Sequence, residues 1–299
     1  MSALPPFNRR APTEISPIYL SHYQATLLLQ AKKAGVKSVR TSIDLNLTMV
    51  LAEVGDAGVV VPDGRVIGWD AVAEVEGNET GCFVVEGEEI EKVQTYSEVT
   101  DRALTLYPTP GPPTMLISGV PMHRIKGTNP LQDTLSKVRA AAPSGWVLDT
   151  CTGLGYTAIH ASRGAEGVVT IELDPAAHEM AQLNPWSKEL FDSPKIEMVL
   201  GDSFDIVSAF AAETFDCVIH DPPMFSLAGE LYSGEFYREL RRVLRPGGRL
   251  FHYIGDPDSK MSASVTKGVV RRLEEAGFGK VQMVPEAFGV VGRKLEVRS

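Results

Sequence analysis

Cysteine is scarce. Cys82, Cys151 and Cys217 are the three in 299 residues, far apart and without a CxxC or Cys/His ligand spacing. That pattern excludes a disulfide framework and a zinc site of ordinary spacing, and it fits a reducing, cytoplasmic setting. Long apolar runs are missing too. No segment approaches the ~20 apolar residues that span a bilayer, and MSALPPFNRR at the start lacks the apolar core of a signal peptide. Neither a membrane anchor nor export is expected. Positive charge is in deficit, with 29 Lys and Arg against 38 Asp and Glu, a formal net charge of -9. A broad grip on a phosphate backbone is therefore disfavoured, although a local basic patch is compatible with this balance. Internal repeats and low-complexity tracts are absent. His22, His160 and His178 fall on predicted helices without metal-ligand spacing, so no metal is expected.

What is present divides the chain in two. Ser16-Pro17 followed by IYLSHYQATLLLQAKKAG predicts a helix with Ser16 as cap, Pro17 in its first turn and Gly35 as its stop. The stretch VKSVRTSIDLNLTMVLAEV alternates apolar and polar residues, as half-buried strands do. Asp63-Gly64 and Glu86-Gly87 read as hairpin turns. The prolines of YPTPGPPT favour an extended connector. This predicts a β-rich N-terminal domain over residues 1–112 with a leading helix, a connector over 113–130, and a second domain over 131–299.

In that second domain helical and strand-like segments alternate: LQDTLSKVRAAA, WVLDT, YTAIHASR, GVVTIEL, PAAHEMAQLN, KIEMVLGD, FDCVIHD, EFYRELRRVL, RLFHYIG. The pattern predicts an α/β, doubly wound, mostly parallel sheet, whose ligand site lies beyond the carboxyl ends of its strands. The first strand runs into Thr150-Cys151-Thr152-Gly153-Leu154-Gly155 and then a helix, a turn in which glycine lets backbone approach a ligand. Glu172 ends the second strand, where a carboxylate can accept ribose hydroxyl protons, with Leu173 next to it. Asp202 and Ser203 follow the third strand, where Asp202 is placed to accept from an adenine amine. A dinucleotide fingerprint is missing, because Ala158 stands where its third glycine would be.

VLDTCTGLG, VVTIELD, VLGDS, DPP and RPGGRL, in that order, make residues 125 to 299 resemble the class I S-adenosylmethionine-dependent methyltransferases. The resemblance implies S-adenosyl-L-methionine as cofactor, with Asp149 and Thr150 near the methionine amino group, Gly153 and Gly155 lining the methionine portion, Glu172 on the ribose and Asp202 on the adenine. It implies Asp221 as the catalytic group at the Asp221-Pro222-Pro223 turn, orienting an acceptor amine, with Pro222, Pro223 and Phe225 on the acceptor side. Met224 intervenes before Phe225, unlike the aromatic residue that follows the turn directly in many amino-methylating relatives.

The block from Asp221 to Tyr232 with EFYRELRRVLRPGG also resembles spermidine synthases, which use decarboxylated S-adenosylmethionine. That family carries a GGGDGG-like run whose Asp holds the aminopropyl amine. Leu154 stands at that place here and accepts no hydrogen bond, which ranks methyl transfer first and aminopropyl transfer second. A third reading is a nucleoside-binding module without catalysis. His123, Arg124 and Lys126 lie in a Gly/Pro-bounded loop as candidates for an anionic acceptor or the donor carboxylate. His252 and Tyr253 end the fifth strand close to the expected site, and Arg238, Arg241, Arg242 and Arg245 read as a solvated helix face. A small-molecule or amine acceptor is favoured, with RNA or protein acceptors and a homo-oligomer left open.

Overall fold

The protein, described as a computed structural model over residues 16–225, 227–255 and 260–295, forms two units that divide between Lys92 and Val93. Ser226, inside the block after the Asp-Pro-Pro turn, lies outside the described residues. In the first unit β1 (Ile18–Leu20), α1 (His22–Lys33), β2 (Ser38–Thr41), β3 (Val50–Val54), β4 (Gly58–Val60), β5 (Val66–Gly68), α2 (Trp69–Glu76), β6 (Phe83–Glu86) and β7 (Glu89–Lys92) follow one another. They make two antiparallel sheets, β1-β6-β7 and β2-β3-β4-β5. Leu20, Leu28, Val59, Val72 and Val85 pack between them as one apolar core.

The turns at Asp63-Gly64 and Glu86-Gly87 join β4 to β5 and β6 to β7 as expected. The first helix differs from its expectation. Ile18, Tyr19 and Leu20 are all buried and pair with β6, so a run of three apolar residues becomes a strand covered on both faces. The helix then starts after Ser21 rather than Ser16. The Ser21 amide and hydroxyl both donate to Gln24 Oε1, at 2.9 and 2.7 Å, which anchors the first turn. The alternating stretch that follows is split into β2 and β3 by a turn in which Leu45 and Asn46 hold φ of 55° and 68°. A leucine in left-handed backbone gives no turn signal in sequence, since glycine or asparagine is the usual occupant.

The second unit opens with an antiparallel sheet of β8 (Gln94–Ser97), β9 (Arg102–Tyr107), β10 (Thr114–Ile117) and β11 (Val120–Pro121). Then come α3 (Pro130–Ala141), β12 (Trp146–Asp149), α4 (Tyr156–Ala161), β13 (Gly167–Glu172), α5 (Pro175–Leu183), α6 (Lys188–Asp192) and β14 (Ile196–Leu200). After these come α7 (Ser203–Ala209), β15 (Phe215–His220), α8 (Gly234–Val243), β16 (Leu244–Tyr253), α9 (Lys260–Glu275), β17 (Phe278–Val284) and β18 (Gly289–Lys294). Seven strands run β14-β13-β12-β15-β16-β18-β17, parallel from β14 to β16, with β18 and β17 antiparallel at one edge. The fold class is thus α/β with a large, mostly parallel sheet and smaller antiparallel ones.

The units part before β8, upstream of the proline-rich segment where the sequence puts the domain boundary. The reason is local: β8 and β9 lie against α5, and the Thr100 hydroxyl bonds Asp174 Oδ2 at 3.0 Å, which ties the small sheet to the large one. Every residue of β13 is buried, as expected of a central parallel strand. Leu148, Val218 and Leu250 sit on the sheet face covered by α7, α8 and α9, where Tyr237, Leu240, Val269 and Leu273 complete the core. Among the described residues no helix is long and apolar enough to cross a membrane.

Candidate functional site

Side chains alternate across a strand, so neighbours at the strand ends serve opposite faces. Asp149 ends β12 on the α4 side. It is fully buried, its Oδ2 accepts from Thr170 Oγ1 at 2.9 Å, and Thr170 in turn shares a 2.6 Å bond with Thr152 Oγ1. Its Oδ1 is buried and makes no hydrogen bond, with the Cys151 amide nearby. Burial pushes the Asp149 carboxyl up to about 8, against the Thr170 bond that favours its charge. The end of this strand is short of a positive partner.

The loop that follows is held by Glu172 from the neighbouring strand. Glu172 Oε2 accepts the Gly153 amide at 2.7 Å and Oε1 accepts the Asp174 amide at 3.0 Å. Burial raises Glu172 to about 7 in spite of those two amides. Gly153 and Gly155 hold φ of 52° and 77°, left-handed conformations that favour glycine. A Cβ on Gly153 would collide with Met122 Cε at 2.2 Å, so Met122 covers this turn. Leu154 is fully buried and its side chain belongs to the interior. A Cβ on Gly155 would lie 2.6 Å from Leu190 Cδ2, beside a buried side chain. Gly155→Ala is accordingly expected to cost about 2 kcal/mol or more, read from urea denaturation, whereas Gly64→Ala meets nothing within 4 Å and carries only its φ penalty.

Asp202 caps α7, its Oδ1 accepting the Phe204 amide at 2.8 Å, and Ser203 Oγ donates to the Thr150 carbonyl at 2.5 Å. Leu173 is 49% exposed beside Glu172, a flat apolar contact left open at the strand ends. Asp149, Thr150, Gly153, Glu172, Leu173, Asp202 and Ser203 are therefore brought together at the carboxyl ends of β12, β13 and β14.

Asp221, Pro222 and Pro223 follow β15 on the side of α3. Lys137 Nζ donates to Asp221 Oδ2 at 2.7 Å and to Asp133 Oδ2 at 3.0 Å, and lies 4.2 Å from the Tyr253 ring centroid. Burial opposes the Lys137 charge, yet Asp221 and Asp133 outweigh it and hold the ammonium above its usual range. Burial raises the Asp221 carboxyl and Lys137 opposes that rise. This pairing escaped sequence reading, although Asp133 and Lys137, four apart on the face of α3 that also buries Thr134 and Ala141, carry a signal. Phe225 is 48% exposed and meets Tyr232 edge-on at 5.4 Å, and Tyr232 OH donates to the Pro223 carbonyl.

His220 and His252 point to the other face, paired across β15 and β16 with ring centroids 4.3 Å apart. His220 bonds Thr150 Oγ1 at 2.7 Å and the Leu231 carbonyl at 3.0 Å, and His252 bonds Tyr237 OH at 2.8 Å. Burial lowers His220 to about 3 and takes His252 well below its usual value, so both are neutral parts of the interior. His123 is buried as well: it bonds Thr114 Oγ1 at 2.9 Å, stacks on Tyr156, and is lowered to about 3 by burial. Arg124 is tied to Asp133, donates to the Glu286 carbonyl at 3.2 Å and covers the Phe288 ring. The structure thus sets His123 and Arg124 into the scaffold. The helix arginines are also engaged: Arg242 donates to the carbonyls of Val207, Ser208 and Phe210 at the end of α7, and Arg245 pairs with Asp216.

Comparison with known proteins bears on this arrangement. Residues 148–252 match a family described as a methyltransferase domain. An uncharacterized protein of Methanocaldococcus jannaschii is 53% identical over 186 residues, 61% of this chain and 64% of that one. A polyamine aminopropyltransferase of Mycobacterium tuberculosis is 34% identical over 147 residues, 47% of this chain and 28% of that one. The chain thus spans less than two thirds of the length of these relatives. A solved spermidine synthase from Thermotoga maritima shares the fold with a TM-score of 0.53 at 17% identity, covering 67% of this chain and 71% of that one. Residues 148–252 of the second unit thus match a methyltransferase-domain family, and the chain shares its fold with spermidine synthases.

Proposed function

We propose that this protein transfers a methyl group from S-adenosyl-L-methionine to an amine-type acceptor. The observation that carries the reading is Asp149: a buried carboxylate with a partnerless oxygen at the foot of a glycine turn fits the ammonium of an amino-acid donor. Glu172 would hold the ribose hydroxyls, Leu173 one face of the adenine, and the free oxygen of Asp202 the adenine amine, while Thr150, Gly153, Gly155 and Ser203 shape the turn that receives the donor. The bound donor supplies an electrophilic methyl carbon on a positively charged sulfur.

Acceleration then rests on aligning the acceptor lone pair with that carbon and on keeping water away. Asp221 supports this by accepting an N–H of the acceptor, with Pro222 and Pro223 fixing the turn and Phe225 offering an exposed ring beside it. His123 and Arg124 act through the scaffold, by holding the β10–β11 segment and Asp133.

Methyl transfer is preferred to aminopropyl transfer because Leu154, the position at which spermidine synthases carry their amine-binding Asp, is buried and apolar. The names of the curated relatives favour the second reading, aminopropyl transfer from decarboxylated S-adenosylmethionine. Isothermal titration with both donors separates the two. S-adenosylmethionine is expected to bind at least about tenfold more tightly, and the reverse order would move the assignment to aminopropyl transfer. Methyl-labelled donor incubated with fractionated metabolites, RNA and protein then identifies the acceptor.

A further inference from the structure

Toward the antiparallel edge of the large sheet, away from the glycine turn, cations gather without carboxylates. Arg249 on β16, Arg293 on β18 and Lys280 on β17 line one cavity of about 100 Å³, with Gln282, Val291 and Gly292. Among the described residues its lining holds no acidic side chain, in a chain where Asp and Glu outnumber Lys and Arg by 38 to 29. Arg249 and Arg293 are direct cross-strand partners, a placement in which like charges repel. Gly279 faces Arg293 from the other side, and an irregularity between Gly279 and Gln282 turns the edge strand at Lys280, whose φ is 54°. A third cation thus joins the two arginines at a local departure from the ladder.

Within the protein this charge is left unbalanced. The Arg249 side chain makes no hydrogen bond or ion pair, and its Nε is buried without a partner. Lys280 enters no ion pair among the described residues, and the Arg293 guanidinium donates to the Gly247 carbonyl at 3.0 Å. Two carboxylates at the start of β15 are committed elsewhere. Asp216 accepts from Arg245 at 2.7 Å and from the Trp146 amide at 2.8 Å, and Glu213 pairs with Lys294 at 3.2 Å.

We propose that this cavity binds a phosphate group, carried by a small phosphomonoester or as free phosphate. One arginine fork satisfies a carboxylate, whereas three cations on adjacent strands suit a compact anion with two charges and several accepting oxygens. The cavity is several times larger than one water needs, which leaves room for such an anion. An extended phosphate backbone is disfavoured by the formal net charge of -9. The site goes beyond the transferase reading and does not depend on it. Arg249 lies four residues before Tyr253, about 13 Å back along β16 from the strand ends where a donor would sit.

Isothermal titration of inorganic phosphate and of glycerol 3-phosphate into the full chain without donor tests the site, with acetate as the carboxylate comparison. At least one of the two phosphate ligands is expected to bind with a dissociation constant below about 1 mM. Arg249→Gln and Lys280→Asn should each weaken that binding at least about tenfold. Asparagine suits the left-handed backbone at position 280, so this variant keeps the test open if Arg249→Gln does not fold. Arg238→Gln removes an equal charge from an exposed position on α8 and should change affinity by less than about twofold. Tighter binding of the monoester would identify a phosphorylated small ligand, and tighter binding of inorganic phosphate the free ion; either supports the site. Absence of binding up to about 10 mM of both ligands, acetate binding as tight as phosphate, or an equal loss in Arg238→Gln would overturn it. So would an RNA oligomer without terminal phosphates that binds more tightly than both ligands and loses affinity in the same variants, since the surface would then contact a nucleic-acid backbone.

Discussion

Asp221→Asn is expected to lower turnover by about two to four orders of magnitude while donor affinity stays within about threefold. The asparagine carbonyl can still accept from Lys137, so the buried ammonium keeps both of its polar partners and the variant folds. What changes is the second oxygen. In the proposed reaction Oδ1 of the wild type accepts an acceptor N–H; in the variant either that position becomes an NH₂ that opposes the acceptor, or the flipped amide turns its NH₂ on Lys137. Both arrangements cost the orientation of the reacting nitrogen. The proposed donor contacts are spared because they come from the ends of β12, β13 and β14, one strand and more away from this turn. Initial rates with a labelled donor and isothermal titration read the two quantities separately. Unchanged turnover would remove Asp221 from the mechanism, and a parallel loss of donor binding would make it a donor-site residue.

Much of this site is legible in the sequence because its residues sit at the ends of strands that are themselves easy to read. WVLD, GVVTIE and FDCVIH are short apolar runs between helical segments, so the parallel order and the positions of Asp149, Glu172 and Asp221 follow from pattern alone. The glycine turn is legible for the same reason that it works: left-handed backbone excludes most other residues. Lys137 is not legible. Its partner Asp221 is 84 positions away in the chain, and a lysine on a helix is ordinarily read as solvated. Only its place on the face of α3 that also buries Asp133, Thr134 and Ala141 marks it as unusual. His123 and Arg124 mislead in the opposite direction. A loop rich in glycine and proline suggests exposure, yet Tyr156 and Asp133 draw the two side chains inward. The turn at Leu45-Asn46 is only half legible: Asn46 suits left-handed backbone, whereas Leu45 does not and is held there by its burial.

Asp149→Asn is expected to flatten the pH dependence of stability of the ligand-free protein and to abolish measurable donor binding. A carboxyl raised to about 8 from a usual value of 3.8 binds more protons in the folded state than in the unfolded state between those two values. Stability therefore falls as pH rises through that interval. Glu172, raised to about 7, acts in the same direction up to that pH. The buried histidines oppose them at lower pH: His123 and His220, lowered to about 3 from 6.5, bind fewer protons when folded, so their contribution rises with pH until about 6.5. Between pH 6.5 and 8 the histidines no longer contribute and the Asp149 term stands largely alone. One group over that interval is worth about 2 kcal/mol. For a chain of this size this is a fall of roughly 5 °C in the melting temperature of the wild type. In Asp149→Asn that fall should shrink to what Glu172 leaves below pH 7. The slope is the diagnostic, since the new amide meets the same partnerless position and brings a desolvation cost of its own at every pH. Saturating S-adenosylmethionine should remove most of the wild-type slope, because the donor's ammonium stabilises the Asp149 carboxylate in its charged form. A wild-type melting temperature that stays level or rises from pH 6.5 to 8 without ligand would mean that Asp149 is already charged and satisfied, and the argument for an ammonium at this position would lose its footing.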